Sequence, residues 1–334
     1  MKHSSSPCFF GVPNQDGVFQ ISFEITNRCN LHCAHCMNKS DNSESTNDGL
    51  PWEQMSRLLD EMSCNNVKEL YITGGEPTLY PDFEKLVAKT KQLGIDTLIA
   101  TNAYDIESQL SVIKKYVDIV FVSIDGTQSI HNCFRGVPDA YEKSMNNIKK
   151  MLSLDIPVRI STVVSKNNIN DLENVVKEVC DLGVFQIHFT VLVNVGRAAS
   201  GEMLIDANEY RGITQVIEDL RKKYEKQGFV ITSRRNGKLH KSTEPCYGGL
   251  RMAHMTASAV LSPCSYVSKC QLGDKYNIKW KPGELKKCLD HVRSFQTLCV
   301  ERNTYFGHSS CAALASIAAG NSEIYNKDPL DLIW

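Results

Sequence analysis

The chain has 334 residues, with 37 lysines and arginines against 38 aspartates and glutamates and a formal net charge of −1. This balance excludes the basic surface that nucleic-acid binding needs, and no run of about eighteen apolar residues is present to cross a membrane. The start of the chain, Met1 to Pro7, has no apolar segment behind it, so we expect a cytoplasmic protein without nucleic-acid or membrane partners.

Apolar runs alternate with amphipathic segments along most of the chain. After an irregular lead-in at 1–19, strands are predicted at 20–25, 67–73, 97–101, 117–124, 158–164 and 185–192, with helices at 52–64, 81–93, 105–116, 139–154 and 169–182. Six such βα units imply a parallel sheet with right-handed crossovers, although periodicity does not say whether the sheet closes. A long helix at 207–227, a short strand at 228–232 and a charged linker at 233–244 follow.

Three cysteines stand directly after the first predicted strand. Cys29, Cys33 and Cys36 have the spacing C-x3-C-x2-C, which lets three thiolates ligate one face of a cubane iron–sulfur cluster and leaves its fourth iron without a protein ligand. The alternative is a zinc site, with His32 or His35 as the fourth ligand.

This cysteine motif, placed after a strand, resembles that of the radical S-adenosylmethionine (SAM) superfamily. The resemblance implies a partial (β/α)6 barrel, similar to an open TIM barrel, with a [4Fe-4S] cluster that binds SAM. In that family the cluster reduces SAM to methionine and a 5′-deoxyadenosyl radical, which removes a hydrogen atom from the substrate. His35 stands where relatives carry an aromatic residue near the adenine.

Further motifs follow successive strands, at the edge of the sheet where barrel chemistry normally lies. Gly74, Gly75 and Glu76 resemble the family's GGE-type motif, which holds the methionine amino group; two glycines allow a close backbone approach and a carboxylate suits an ammonium. Asn102 and Ser123 end the next two strands. The resemblance makes Ser123 a ligand of the cofactor's carboxylate or ribose.

Four more positions are interpreted from the later strands. Asp125 either binds substrate or caps its turn, and Arg135 is a candidate for the methionine carboxylate because a guanidinium pairs with a carboxylate through two hydrogen bonds. A surface arginine in a loop is the alternative for Arg135. Ser161 and Leu192 are carried over from the family as ribose and adenine contacts.

The last 90 residues contain six of the thirteen cysteines. Cys246 and Cys264 flank a predicted β-hairpin, which resembles the SPASM or twitch extension of this family and implies one auxiliary iron–sulfur cluster. The expected ligands are Cys246, Cys264, Cys299 and Cys311. Cys270 is an alternative fourth ligand, and His308 is either a ligand or a surface histidine.

These interpretations divide the chain into the lead-in (1–19), a radical SAM barrel (20–232), a linker (233–244) and an auxiliary-cluster domain (245–334). The resemblance implies an enzyme that modifies a peptide or protein, with leader recognition by a separate protein or by the core of this chain, and a flavodoxin or ferredoxin as reductant. A small-molecule substrate in cofactor or antibiotic synthesis is the alternative. The rival of another class is a non-catalytic iron–sulfur or zinc protein that carries electrons or acts as a sensor.

Overall fold

The computed structural model describes residues 19–43, 49–233, 247–270 and 272–298. Seven parallel strands follow one another in the sheet: β1 (Gln20–Glu24), β2 (Glu69–Thr73), β3 (Asp96–Thr101), β4 (Ile119–Ser123), β5 (Val158–Val164), β6 (Gln186–Val191) and β7 (Val230–Ser233). All seven strands match the predicted ones to within about two residues, which confirms the βα pattern.

Helices connect these strands: α1 (Trp52–Cys64), α2 (Phe83–Gln92), α3 (Leu110–Tyr116), α4 (Gln128–Arg135), α5 (Ala140–Ser153), α6 (Leu172–Asp181) and α7 (Ala207–Glu225). Helix α7 begins with a capping box, in which the Asp206 side chain accepts from the N–H of Glu209 and the Glu209 side chain accepts from the N–H of Asp206. No described helix is long and apolar enough to cross a membrane.

Helix α4 was missed at the sequence level. Its eight residues belong to none of the predicted helices, because so short a segment shows little periodicity. Gly136 ends α4 in the left-handed region, at φ +77°, where a glycine is favoured. The helix buries Arg135, so the alternative of a surface arginine is wrong.

The C-terminal part of the described chain extends the same sheet. Strand β8 (Met252–Met255) pairs in parallel with β1, and β9 (Val260–Ser262) pairs antiparallel with β8 and with β10 (Ile278–Lys279). The predicted hairpin is therefore present, although Cys246 lies outside the described residues. No ladder between described residues joins β7 to β10, so this part of the sheet is open.

Two contacts with the buried Glu24 carboxylate fasten the C-terminal segment to the barrel. His254 on β8 lies 3.1 Å from the Glu24 carboxylate of β1, and Lys269 lies 3.6 Å from the same oxygen. On the outside, the Glu61 carboxylate of α1 accepts hydrogen bonds from the backbone N–H groups of Gly283 and of Leu285, the first residue of α8 (Leu285–Arg293).

The two faces of the strands differ in polarity. Alternate residues such as Ile21, Phe23, Leu70 and Ile72 are buried in the core beneath the helices, while the residues between them face the concave side. The concave side is polar where the strands begin, because the Glu69 carboxyl at the start of β2 accepts a hydrogen bond from Gln20 at the start of β1.

Glu69 predicts a pH dependence of stability. Burial raises its pKa to about 7 from the usual 4.5, against the opposing effect of the Gln20 hydrogen bond. The folded chain thus favours the protonated carboxyl of Glu69. The stability that this preference contributes is complete below pH 4.5 and is lost as the pH rises through 7. Glu69→Gln is expected to stabilise the protein by roughly 1–3 kcal/mol at about pH 8 and by little at about pH 4.

Urea unfolding at the two pH values measures this difference. The control is Glu53→Gln, which changes an exposed carboxylate of α1. If Glu69→Gln changes the unfolding free energy by the same amount at both pH values, the pKa of Glu69 is not raised.

Candidate functional site

The three motif cysteines line one cavity of about 280 Å³ at the carboxyl ends of the strands. Cys29 and Cys33 are buried, and Cys36 is half-buried. Burial raises the pKa of Cys29 to about 12 and that of Cys33 in the same direction. Thiolates at these positions therefore need positive charge beside them, which a metal centre supplies.

The three motif cysteines share one cavity, which suits the ligands of an iron–sulfur cluster. A cluster binds its thiolates on separate irons, so they need to share a cavity but not a point. The cavity wall also contains buried polar atoms without a partner among the described residues, including His35 Nδ1 and Asn38 Oδ1.

The Gly74–Gly75 turn after β2 supports the cysteine loop from behind. The N–H of Gly75 donates to the Thr26 carbonyl at 2.8 Å, and that of Glu76 donates to the Arg28 carbonyl at 2.7 Å. A Cβ on Gly75 would lie 2.1 Å from the Arg28 carbonyl oxygen. This close approach requires glycine, and it fixes the backbone that leads into Cys29.

Glu76 is fully buried and does not belong to the cavity wall. One carboxylate oxygen accepts from the hydroxyls of Thr78 and Thr101, each at 2.8 Å, and the other accepts from the N–H of Asn102 at 2.9 Å. Burial raises the pKa of Glu76, and these donors offset part of that effect. The carboxylate thus connects the ends of β2 and β3.

Glu76→Gln tests this structural role. The glutamine NH2 group would face donors, leaving at least one buried hydrogen bond unmade, so we expect a loss of about 2–4 kcal/mol in unfolding free energy. Urea unfolding of the protein measures it, with Glu84→Gln, an exposed position on α2, as the control. Equal stability of the two variants would mean that Glu76 does not hold these strand ends together.

Asn102 and Arg135 each approach a cysteine sulfur. Asn102 Nδ2 donates to Asn30 Oδ1 at 2.8 Å and lies 3.9 Å from Cys29 Sγ. Arg135 Nη1 lies 3.6 Å from Cys33 Sγ, while its Nη2 forms a 2.5 Å ion pair with Asp125. Both side chains line the cavity.

Asp125 is buried in a group of charged and aromatic side chains. Burial alone would raise its pKa, but the Arg135 guanidinium holds it below the ordinary value. Its Oδ1 accepts from the N–H of Val163, and His35 Nε2 lies 3.6 Å from Oδ2. Burial lowers the pKa of His35 to about 4, so this imidazole is neutral near pH 7.

The segment after β6 holds the cysteine loop from the opposite side. Arg197 donates from Nε to the Cys33 carbonyl at 2.7 Å and from Nη2 to the Ser40 carbonyl at 2.9 Å. A Cβ on Gly196 would lie 2.3 Å from the Cys36 carbonyl oxygen. Gly196 and Arg197 stand as a pair after a predicted strand, but the sequence does not indicate their contacts with the cysteine loop.

Most of the predicted site residues meet at the cavity. Its lining includes Cys29, Cys33, His35, Cys36, Gly74, Gly75, Asn102, Ser123, Arg135 and Leu192. Ser161 of β5 and Glu76 are not in the described lining. Tyr266, which no motif indicated, reaches the cavity from the C-terminal segment.

The predicted auxiliary-cluster ligands are only partly described. Cys264 is buried beside Tyr266, Val267 and Phe295, and Cys270 packs against this group. Cys246, Cys299, Cys311 and His308 lie outside the described residues, so this ligand set stays a prediction.

Comparisons with known proteins agree with this architecture. A family model described as the radical SAM superfamily matches residues 23–179. The AdoMet-dependent heme synthase of Oleidesulfovibrio alaskensis is 27% identical over 301 residues, 83% of this chain and 76% of that protein. The sporulation killing factor maturation protein SkfB of Bacillus subtilis is 25% identical over 253 residues, 75% of this chain and 61% of that protein.

A solved structure shares the fold. The crystal structure of Streptococcus suis SuiB bound to S-adenosylmethionine superposes with a TM-score of 0.72 at 17% identity, covering 94% of this chain and 76% of that one. This likeness confirms the predicted α/β fold class.

Proposed function

Because the chain belongs to the radical SAM superfamily, we propose that this enzyme modifies a peptide or protein by removing a hydrogen atom from it. When bound, the [4Fe-4S] cluster and SAM supply the 5′-deoxyadenosyl radical that performs this step. The observation that carries the proposal is the single cavity into which Cys29, Cys33 and Cys36 face together with the Gly74–Gly75 turn.

The chain's own residues have separable tasks in this proposal. Cys29, Cys33 and Cys36 ligate the cluster and leave one iron open for SAM. Gly74 and Gly75 present backbone to the methionine end, while Glu76 holds that turn from behind. Further cofactor contacts are proposed for His35, Asn102, Ser123, Arg135, Ser161 and Leu192. The walls of the cavity exclude water from the radical step.

The nature of the cavity lining supports a peptide over a tetrapyrrole. Relatives of this chain include both AdoMet-dependent heme synthases and the maturation protein SkfB. A tetrapyrrole with several carboxylates calls for cations to pair with them. Among the described lining residues the only Lys or Arg side chains are Arg135, paired with Asp125, and Arg197, bound to two backbone carbonyls.

We also propose an auxiliary cluster, a protein reductant and a protein that recognises the leader. An auxiliary cluster on Cys246, Cys264, Cys299 and Cys311 would accept an electron from the substrate radical or bind substrate. Flavodoxin or ferredoxin would be the reductant, and a separate protein would recognise the leader of the peptide. A small-molecule substrate is the second candidate, because heme synthases are among the relatives.

The first test uses anaerobically reconstituted protein. Iron and sulfide are counted, the protein is reduced with dithionite and SAM is added; we expect about eight irons, two cubanes' worth, and release of 5′-deoxyadenosine. About four irons with cleavage would remove the auxiliary cluster from the proposal. If SAM is not cleaved with any reductant, the proposed radical reaction is wrong.

The second test identifies the substrate class. Deuterated short peptides encoded beside the gene and a deuterated iron coproporphyrin are offered separately. Deuterium in 5′-deoxyadenosine with the peptides alone supports the proposal, and deuterium with the porphyrin alone supports the second candidate.

A further inference from the structure

The ion pair of Arg135 and Asp125 lies immediately behind one of the three motif cysteines. Arg135 is 6% exposed and Asp125 is 1% exposed, so water screens neither charge well. One guanidinium nitrogen, Nη1, points at Cys33 Sγ at 3.6 Å, and the other, Nη2, binds Asp125 Oδ2 at 2.5 Å. The three groups thus form a buried line of sulfur, cation and carboxylate.

Independent contacts fix this line. Asp125 Oδ1 accepts from the N–H of Val163 at 3.0 Å, and the N–H of Asp125 donates to His131 Nδ1 at 3.1 Å. Strand β5 therefore holds the carboxylate and α4 holds the backbone of Asp125, and the carboxylate in turn orients the guanidinium. The order of charges toward Cys33 cannot reverse without breaking these contacts.

Cys29 and Cys33 have different surroundings. Cys33 faces a full positive charge, and Cys29 faces the neutral amide of Asn102 at 3.9 Å. Hydrogen bonds and charge near the sulfurs are among the factors that set the reduction potential of an iron–sulfur cluster. A cation stabilises the reduced form, which carries one more negative charge, and a carboxylate behind it offsets part of that effect.

We infer that the Arg135–Asp125 ion pair sets the reduction potential of the cluster held by Cys29, Cys33 and Cys36, with Arg135 raising it and Asp125 lowering it. This inference rests on the proposed function. It assigns Arg135 a role as a positioning residue that acts through Cys33, in addition to any contact of its Nε with SAM. Asp125 acts as the counter-charge and needs no contact with substrate.

The test is a redox titration of the reconstituted holoenzyme at one pH, followed by electron paramagnetic resonance without SAM. Omitting SAM means that a lost cofactor contact cannot cause the shift. Arg135→Gln is expected to lower the reduced-to-oxidised ratio at a given ambient potential by at least about tenfold, or 59 mV, and Asp125→Asn to raise it. Arg221→Gln, which changes an arginine of α7 paired with Glu218, is the control.

Shifts of opposite sign support the inference, because general loosening of the site would move both variants in the same direction. Unchanged potentials, or shifts of the same sign, would overturn it. If Arg135→Gln holds no cluster, Arg135→Lys and Asp125→Asn decide, because both variants keep a cation beside Cys33. The reduction potential of Arg135→Lys must stay close to that of the parent, and that of Asp125→Asn must rise. A wild-type protein without iron or SAM cleavage would instead refute the proposed function.

Discussion

Cys33→Ala is expected to remove the SAM-binding cluster and with it the cleavage of SAM. Cys33 is 7% exposed and receives the Arg135 guanidinium, so no water or neighbouring thiol can replace its sulfur without rearranging the loop. We expect iron to fall by about four atoms per chain and 5′-deoxyadenosine formation to fall more than about 100-fold. This loss exceeds the one that follows removal of a residue that only hydrogen-bonds to a metal ligand. Iron analysis and chromatography of the reaction measure both.

The matched control is Cys64→Ala. Cys64 ends α1, is exposed and has no place in the cavity lining. Its variant should retain the iron content and cleavage rate of the parent. Full iron and full cleavage in Cys33→Ala would mean that the three cysteines are not the cluster ligands.

Gly75→Ala is expected to lower both the stability of the protein and its iron content, although it changes no ligand. The new methyl group would lie 2.1 Å from the Arg28 carbonyl oxygen and 2.5 Å from its carbon, so the backbone before Cys29 must shift. We expect a loss of about 1–3 kcal/mol in unfolding free energy, typical of overpacking, together with a lower iron content. Urea unfolding and iron analysis of the same preparation measure the two effects.

Gly212→Ala separates this steric cause from a general effect of alanine. Gly212 lies in α7, and a Cβ there would meet no atom within 4 Å. Alanine at this position should stabilise the helix by about 0.5–1 kcal/mol and leave the iron content unchanged. If Gly75→Ala behaves like Gly212→Ala, the turn does not support the cysteine loop.

Several parts of the site followed from the sequence because they depend on neighbours in the chain. The spacing of Cys29, Cys33 and Cys36 is local, and the Gly74–Gly75–Glu76 motif follows its strand directly. The carboxyl ends of parallel strands meet at one edge of a sheet, so motifs at strand ends were expected to converge. The cavity brings most of them together.

Other parts were not predictable from periodicity. Arg135 is 102 positions from Cys33, and nothing in either segment indicates that their side chains meet. Glu76 was predicted to hold the methionine amino group of SAM, and this role stays a prediction. In the structure its carboxylate accepts hydrogen bonds from the ends of β2 and β3. Strand β8 joins β1 across more than 200 residues, a pairing that four residues cannot specify alone.

The sequence by itself determined the alternation of strands and helices and the cysteine spacing, because both arise from local periodicity and from the reach of a short loop. Only the tertiary structure decided which side chains become partners. It placed Asp125 behind Arg135, Arg197 across the cysteine loop and Tyr266 at the cavity. Burial then gives these contacts their effect, because charges and hydrogen bonds act strongly where water does not compete with them.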